Sequence, residues 1–89
     1  MQNIKFPLAV TLAGDSIWGY EGPQTVTVTD IKVWDEDPDY TLIEVMHDST
    51  WDIYTDSGFE SAISEQLGYP VSFTEQGMQE DGVASMELA

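Results

Sequence analysis

Seventeen acidic residues stand against two basic ones, Lys5 and Lys32, and there is no arginine, so the formal net charge is −15. A chain of this kind has almost no cation with which to neutralise a buried carboxylate. Any compact form must therefore leave nearly all of its acids in water, and it must hold together against its own repulsion. Charge of this order, taken alone, is a mark of disorder. The rest of the composition opposes that reading. Apolar residues make up 42% of the chain, and three Trp, four Tyr and three Phe are spread along its whole length. That is enough for a core. Eighty-nine residues leave room for one domain, 1–89, and no second.

Several classes of chemistry are excluded at once. With no cysteine there is no disulfide scaffold, no Cys-ligated zinc, no iron–sulfur cluster and no thiol nucleophile. The start, Met1-Gln2-Asn3-Ile4-Lys5-Phe6-Pro7, lacks a basic stretch followed by an apolar one, so it does not read as a secretory leader. No apolar run approaches the ~20 residues of a membrane span. A cytoplasmic location is the expectation, in the host cell if a phage encodes the chain.

Periodicity gives the fold class. Ile4, Phe6, Leu8, Val10 and Leu12 share one parity, the mark of a half-buried strand, and Pro7 sends that strand to a sheet edge or itself takes a non-bonded position. A second strand runs from about 24 to 34. In it Val26 and Val28 have one parity and Ile31 and Val33 the other, a switch that a β-bulge would produce, the alternative being two short strands with a kink at Asp30. Residues 40–47 form a third strand with Ile43 and Val45 on one face and Leu42 and Met46 on the other, which suits a central position. A turn at 48–50 and a fourth strand at 51–55 complete an expected hairpin.

One helix is expected, at about 58–67. Ser57-Gly58-Phe59-Glu60 fits the capping-box pattern. Phe59, Ile63 and Leu67 make an apolar stripe, and Gly68 and Pro70 end the helix. Strands at 71–74 and 83–88 close a C-terminal hairpin. The expected class is α+β, an antiparallel sheet of four to six strands with one short helix on a face.

Nothing in the chain resembles a catalytic motif. His47 is the only histidine and is expected to be an exposed turn residue. There is no nucleophile elbow, Gly-rich phosphate loop or HExxH pattern. Gly19-Tyr20-Glu21-Gly22 has no basic residue near it, so it cannot cradle phosphate. Paired carboxylates could serve glycosidase chemistry, but that needs a deep cleft for which this chain is short. Asp35, Asp37 and Asp39 alternate as in a calcium loop. The EF-hand pattern, however, wants Gly at the sixth position and Glu at the twelfth, where Tyr40 and Met46 stand. The reading is a non-enzyme with no cofactor and no dedicated metal.

The excess charge is then the functional signal. A small domain stays soluble with a net charge of about 2–8, well below this value. The acids cluster at Asp35, Glu36, Asp37 and Asp39, with Asp52 and Asp56 second, and again at Glu75, Glu80 and Asp81. Same-face residues on a strand recur every ~6.6 Å, and duplex nucleic acid carries one charge per ~3.4 Å on each strand. In size and charge the chain is similar to nucleic-acid-mimicking inhibitors made by phages and mobile elements against CRISPR effectors and restriction enzymes. The expected partner is a basic nucleic-acid-binding host protein or complex, with neither nucleic acid nor membrane bound directly. Charge reversal at 35–39 is expected to cost more affinity than at Glu87. Two other readings remain: a phage or bacterial structural or assembly protein binding through exposed Trp18, Tyr20, Trp34 or Tyr54, and an ordinary domain of a salt-adapted organism.

Overall fold

A computed structural model describes residues 4–16, 25–49, 53–74 and 82–89. Among them are five strands and one helix: β1 (Leu8–Thr11), β2 (Thr25–Asp37), β3 (Tyr40–His47), α1 (Ser57–Leu67), β4 (Val71–Phe73) and β5 (Val83–Leu88). The strands form one antiparallel sheet in the order β1-β2-β3-β5-β4. The sheet is curled, and α1 lies against the two strands at its opposite edges, β1 and β4. This is the α+β class expected from the periodicity.

Each strand takes its place for a reason visible in its residues. β1 begins directly after Pro7 and occupies an edge, where a missing N–H costs least. β3 carries apolar residues on both faces and is the middle strand, between β2 and β5. In β2 the pairing with β3 shifts between Val28 and Asp30, so Thr29 is the extra residue of a bulge. The shift lets Val26 and Val28 on one side of it and Ile31 on the other all reach the core, which a strand of strict period two cannot do. The Asp30 carboxylate accepts from the Ile31 N–H at 2.9 Å, covering a backbone donor beside the bulge.

The fourth strand expected at 51–55 is not formed by its described part. Ile53 to Asp56 makes a turn instead, closed by Asp56 N–H donating to Ile53 O at 2.9 Å. Residues 51 and 52 lie outside the described residues. The flank of β3 that this strand was to occupy belongs to β5, which enters from the far end of the chain. Thr55 takes the left-handed conformation (φ 67°), a strained choice for a β-branched residue.

That turn delivers Asp56, on which the helix start depends. Asp56 is the N-cap, one residue ahead of the Ser57 that the capping-box pattern suggested. Its side chain accepts from Phe59 N–H at 2.9 Å. The same carboxylate accepts from Ala13 N–H at 3.0 Å and Gly14 N–H at 2.8 Å. Asp56 is 0% exposed, so these three donors stand in for the water it has lost. Asp15 covers a further helix donor, accepting from Ser57 N–H at 2.9 Å and Ser57 Oγ at 2.6 Å. At the other end Gly68, with φ 83°, donates to Ser64 O at 2.9 Å, and the Ser64 hydroxyl accepts from Val71 N–H at 3.0 Å. Both ends of the helix are thus tied to an edge of the sheet.

The helix stripe Phe59, Ile63 and Leu67 is buried as its spacing implied. It packs in one core with Val10, Val26, Ile43, Val45 and Met86 among others. Phe73 is buried, with ring centroids 5.7 Å from Phe59 and 5.5 Å from Tyr54. His47 corrects the expectation of an exposed turn residue. It shares the inward parity of Ile43 and Val45, is 8% exposed, and packs edge-on against Phe59 at 5.9 Å. Its Nδ1 accepts from Ser49 N–H at 3.2 Å.

Two stability outcomes follow from the helix start. Asp56→Ala removes a cap, a loss of about 0.5–2 kcal/mol, and also orphans two donors of the chain after β1 at about 1–3 kcal/mol each. Urea denaturation should show several kcal/mol lost, a large share of the ~5–15 kcal/mol that such domains possess; a loss within about 0.5 kcal/mol would show that water replaces the carboxylate. Gly58→Ala should also destabilise, although alanine is the better helix former by about 1 kcal/mol. A Cβ at Gly58 would stand 2.6 Å from Ala13 N and 2.7 Å from Thr11 O, both backbone atoms. A rise in the urea midpoint for this variant would mean that the helix can move off β1.

Candidate functional site

The β2–β3 hairpin holds the first acidic cluster. β2 continues through Asp37, so Asp35, Glu36 and Asp37 are strand residues; only Pro38 and Asp39 form the turn before Tyr40. A second register shift falls inside the cluster. Trp34 pairs with Leu42 and Asp37 with Tyr40, leaving Asp35 and Glu36 together opposite Thr41. A bulge of this kind turns its side chains out of strict alternation. The register shift therefore breaks the even ~6.6 Å pitch that a flat strand would give these residues.

Asp35, Glu36, Asp37 and Asp39 are all exposed. The Asp37 side chain accepts from Asp39 N–H at 2.9 Å, which tightens the turn. The carboxylates of Asp35, Glu36 and Asp39 are engaged by no hydrogen bond or ion pair. Among the described residues, no three His, Asp or Glu side chains are gathered as metal ligands.

The second pair of candidates does not join this cluster. Asp52 lies outside the described residues. Asp56 must be withdrawn as a contact residue, because it is buried and its oxygens are occupied by Ala13, Gly14 and Phe59. The signal for this was in the sequence: Asp56 directly precedes a helix start, where a carboxylate is wanted by the backbone. Glu75, Glu80 and Asp81 also lie outside the described residues.

Apolar side chains accompany the acids at the hairpin end. Trp34 is 49% exposed, Tyr40 45% and Leu88 52%. Trp34 is fixed by its indole N–H, which donates to the Glu44 carboxylate at 2.7 Å. Between the turn and the end of β5 lies a shallow notch of about 180 Å³, lined by Pro38, Asp39, Tyr40, Thr41, Glu87 and Leu88. Glu87 is thus a neighbour of the acidic cluster and not a remote comparator. Glu65, on the exposed side of α1, serves that purpose. Of the other aromatics expected as anchors, Tyr54 is half-buried with its hydroxyl donating to Thr74 O at 2.9 Å, and Trp18 and Tyr20 lie outside the described residues.

Comparison with known proteins finds no matching family model, no similar curated protein and no similar solved structure. Among the described residues, no helix is long and apolar enough to cross a membrane. What the site can do is set by its own chemistry: exposed negative charge on a braced hairpin, with three apolar groups beside it.

A separate group of acids, Asp15, Asp56 and Glu60, surrounds the start of α1. Asp15 is held below the ordinary carboxyl range, first by the Ser57 hydroxyl and then by the Ser57 N–H. Glu60 is pushed up, chiefly by loss of solvent, with Asp15 and Asp56 adding repulsion and a Phe73 backbone hydrogen bond opposing. A raised carboxyl in the folded state means that folding takes up protons, so this group's contribution weakens stability as pH rises through the folded value. Glu60→Gln should therefore raise the thermal midpoint at pH 7. The gain should shrink on acidification, as the wild-type side chain becomes neutral too. A gain independent of pH would assign the effect to packing.

Proposed function

We propose that this protein is an acidic nucleic-acid-mimicking inhibitor, encoded by a phage or mobile element, that occupies the basic nucleic-acid channel of a host defence complex such as a CRISPR effector or restriction enzyme. The observation that carries this reading is the β2–β3 hairpin, where Asp35, Glu36, Asp37 and Asp39 are exposed around a two-residue turn. The chain as a whole has a net charge of −15 and only two lysines, so it would repel nucleic acid and be drawn to whatever holds nucleic acid. Basic channels of this kind grip a heteroduplex through its backbone charge. Long-range attraction would steer a compact acid into such a channel quickly, with strong dependence on salt.

A second reading, a structural or assembly module, is favoured by one observation: Trp34, Tyr40 and Leu88 are exposed. Binding through these groups would survive high salt, since burial of apolar surface does not depend on charge.

The test is recovery of bacterial proteins on the immobilised chain at low and at high salt, followed by affinity measurement with the captured complex. The expected partner is a nucleic-acid-processing enzyme or guided complex released by salt, together with loss of its cleavage activity. Neutralising the hairpin (Asp35→Asn, Glu36→Gln, Asp37→Asn, Asp39→Asn) should weaken binding by about tenfold or more, about 1.4 kcal/mol, and Glu65→Gln should leave it unchanged. Equal losses at both places would sink the defined contact and leave only diffuse attraction. Recovery unchanged by salt would favour the assembly reading.

A further inference from the structure

We propose that the notch between the β2–β3 turn and the end of β5 receives one arginine side chain from the partner. This rests on the reading above for the existence of a basic partner, and adds which group of that partner is read.

The cavity, at about 180 Å³, is below the ~300–1,000 Å³ of small-molecule sites and suits a single side chain. Its lining is mixed in a particular way. Asp39 and Glu87 contribute carboxylates that no hydrogen bond or ion pair engages. Tyr40 contributes an aromatic ring, and Pro38 and Leu88 contribute apolar walls. A hard divalent cation prefers a shell of about six to eight oxygens, which this lining does not supply. A guanidinium matches it better. It is planar and weakly hydrated, it stacks on aromatic rings, and its fork of donors suits carboxylates. The ammonium of lysine is compact and strongly hydrated, so it gains less from the ring and the apolar walls.

Backbone hydrogen bonds hold the chain on both sides of the notch. Asp39 N–H is held by the Asp37 carboxylate. β3 and β5 pair from Leu42–Glu87 onward, and Ala89 N–H donates to Pro70 O at 3.1 Å. The lining is thus set before any partner arrives, which lowers the ordering cost of binding.

The experiment is an NMR titration of the ¹⁵N-labelled protein with N-acetyl-arginine amide, N-acetyl-lysine amide and the uncharged N-acetyl-citrulline amide. Saturable shifts with arginine at residues 38–41, 87 and 88, a weaker response to lysine and none to citrulline are expected. Tyr40→Leu should weaken arginine binding by about two- to fivefold, Glu87→Gln should weaken it as well, and Asp35→Asn should not. The two lining residues reach solvent, and spectra unchanged away from the notch verify that each variant is folded. Shifts spread over every acidic segment, an equal response to lysine, or no saturable shift would each overturn the proposal. Arginine seated here by a protein that displaces no nucleic acid from any complex would keep the notch and remove the channel reading; displacement without these shifts would do the reverse.

Discussion

The carboxylate of Asp56 joins two parts of the chain more than forty residues apart. Three backbone N–H groups converge on it, two from the chain leaving β1 and one from the first turn of α1. Burying a carboxylate is costly unless it is fully hydrogen-bonded, so this geometry is either complete or absent. Completing it fixes the helix over the edge strand, with Gly58 close against the backbone of Thr11 and Ala13. It also offsets the strain at Thr55, the left-handed residue directly before Asp56. The curl of the sheet follows, because a helix tied to β1 at one end and through Ser64 to Val71 of β4 at the other draws the two edges together.

This arrangement separates the acids by task. Asp56 and Asp15 act at the end of the sheet where Thr11 pairs with Thr25, the first residue of β2. The exposed cluster lies at the other end, where β2 finishes in Asp37. Asp56 and Asp15 thus stand at one end of the sheet, and Asp35, Glu36, Asp37 and Asp39 at the other. Substitutions in the hairpin can change how the surface binds while leaving the helix start intact. That separation is what makes a surface-charge account of function open to experiment.

Much of the fold was legible in the sequence because it was written in periodicity. The parity switch between Val28 and Ile31 announced the bulge, the two apolar faces of 40–47 announced the central strand, and the spacing of Phe59, Ile63 and Leu67 announced the buried helix face. The errors came where local pattern competes with long-range pairing. Residues 53–55 follow β3 closely enough to suggest a hairpin, but β5 takes that flank of the sheet. Asp56 and Ser57 are both good caps, and the choice between them depends on Ala13 and Gly14, more than forty residues away. The same blindness placed Asp56 among the exposed acids. In the candidate site, Asp35, Glu36, Asp37 and Asp39 were found by composition alone, whereas Glu87 and Leu88 join them only through the β3–β5 pairing.

The central claim is that this surface and nucleic acid compete for one place. The direct measurement is fluorescence anisotropy of a labelled nucleic acid bound to its defence complex, titrated with this protein at several nucleic-acid concentrations. The account predicts full release, with a midpoint that rises in proportion to the nucleic acid present. Inhibition with the label still bound, in a ternary complex, would contradict it.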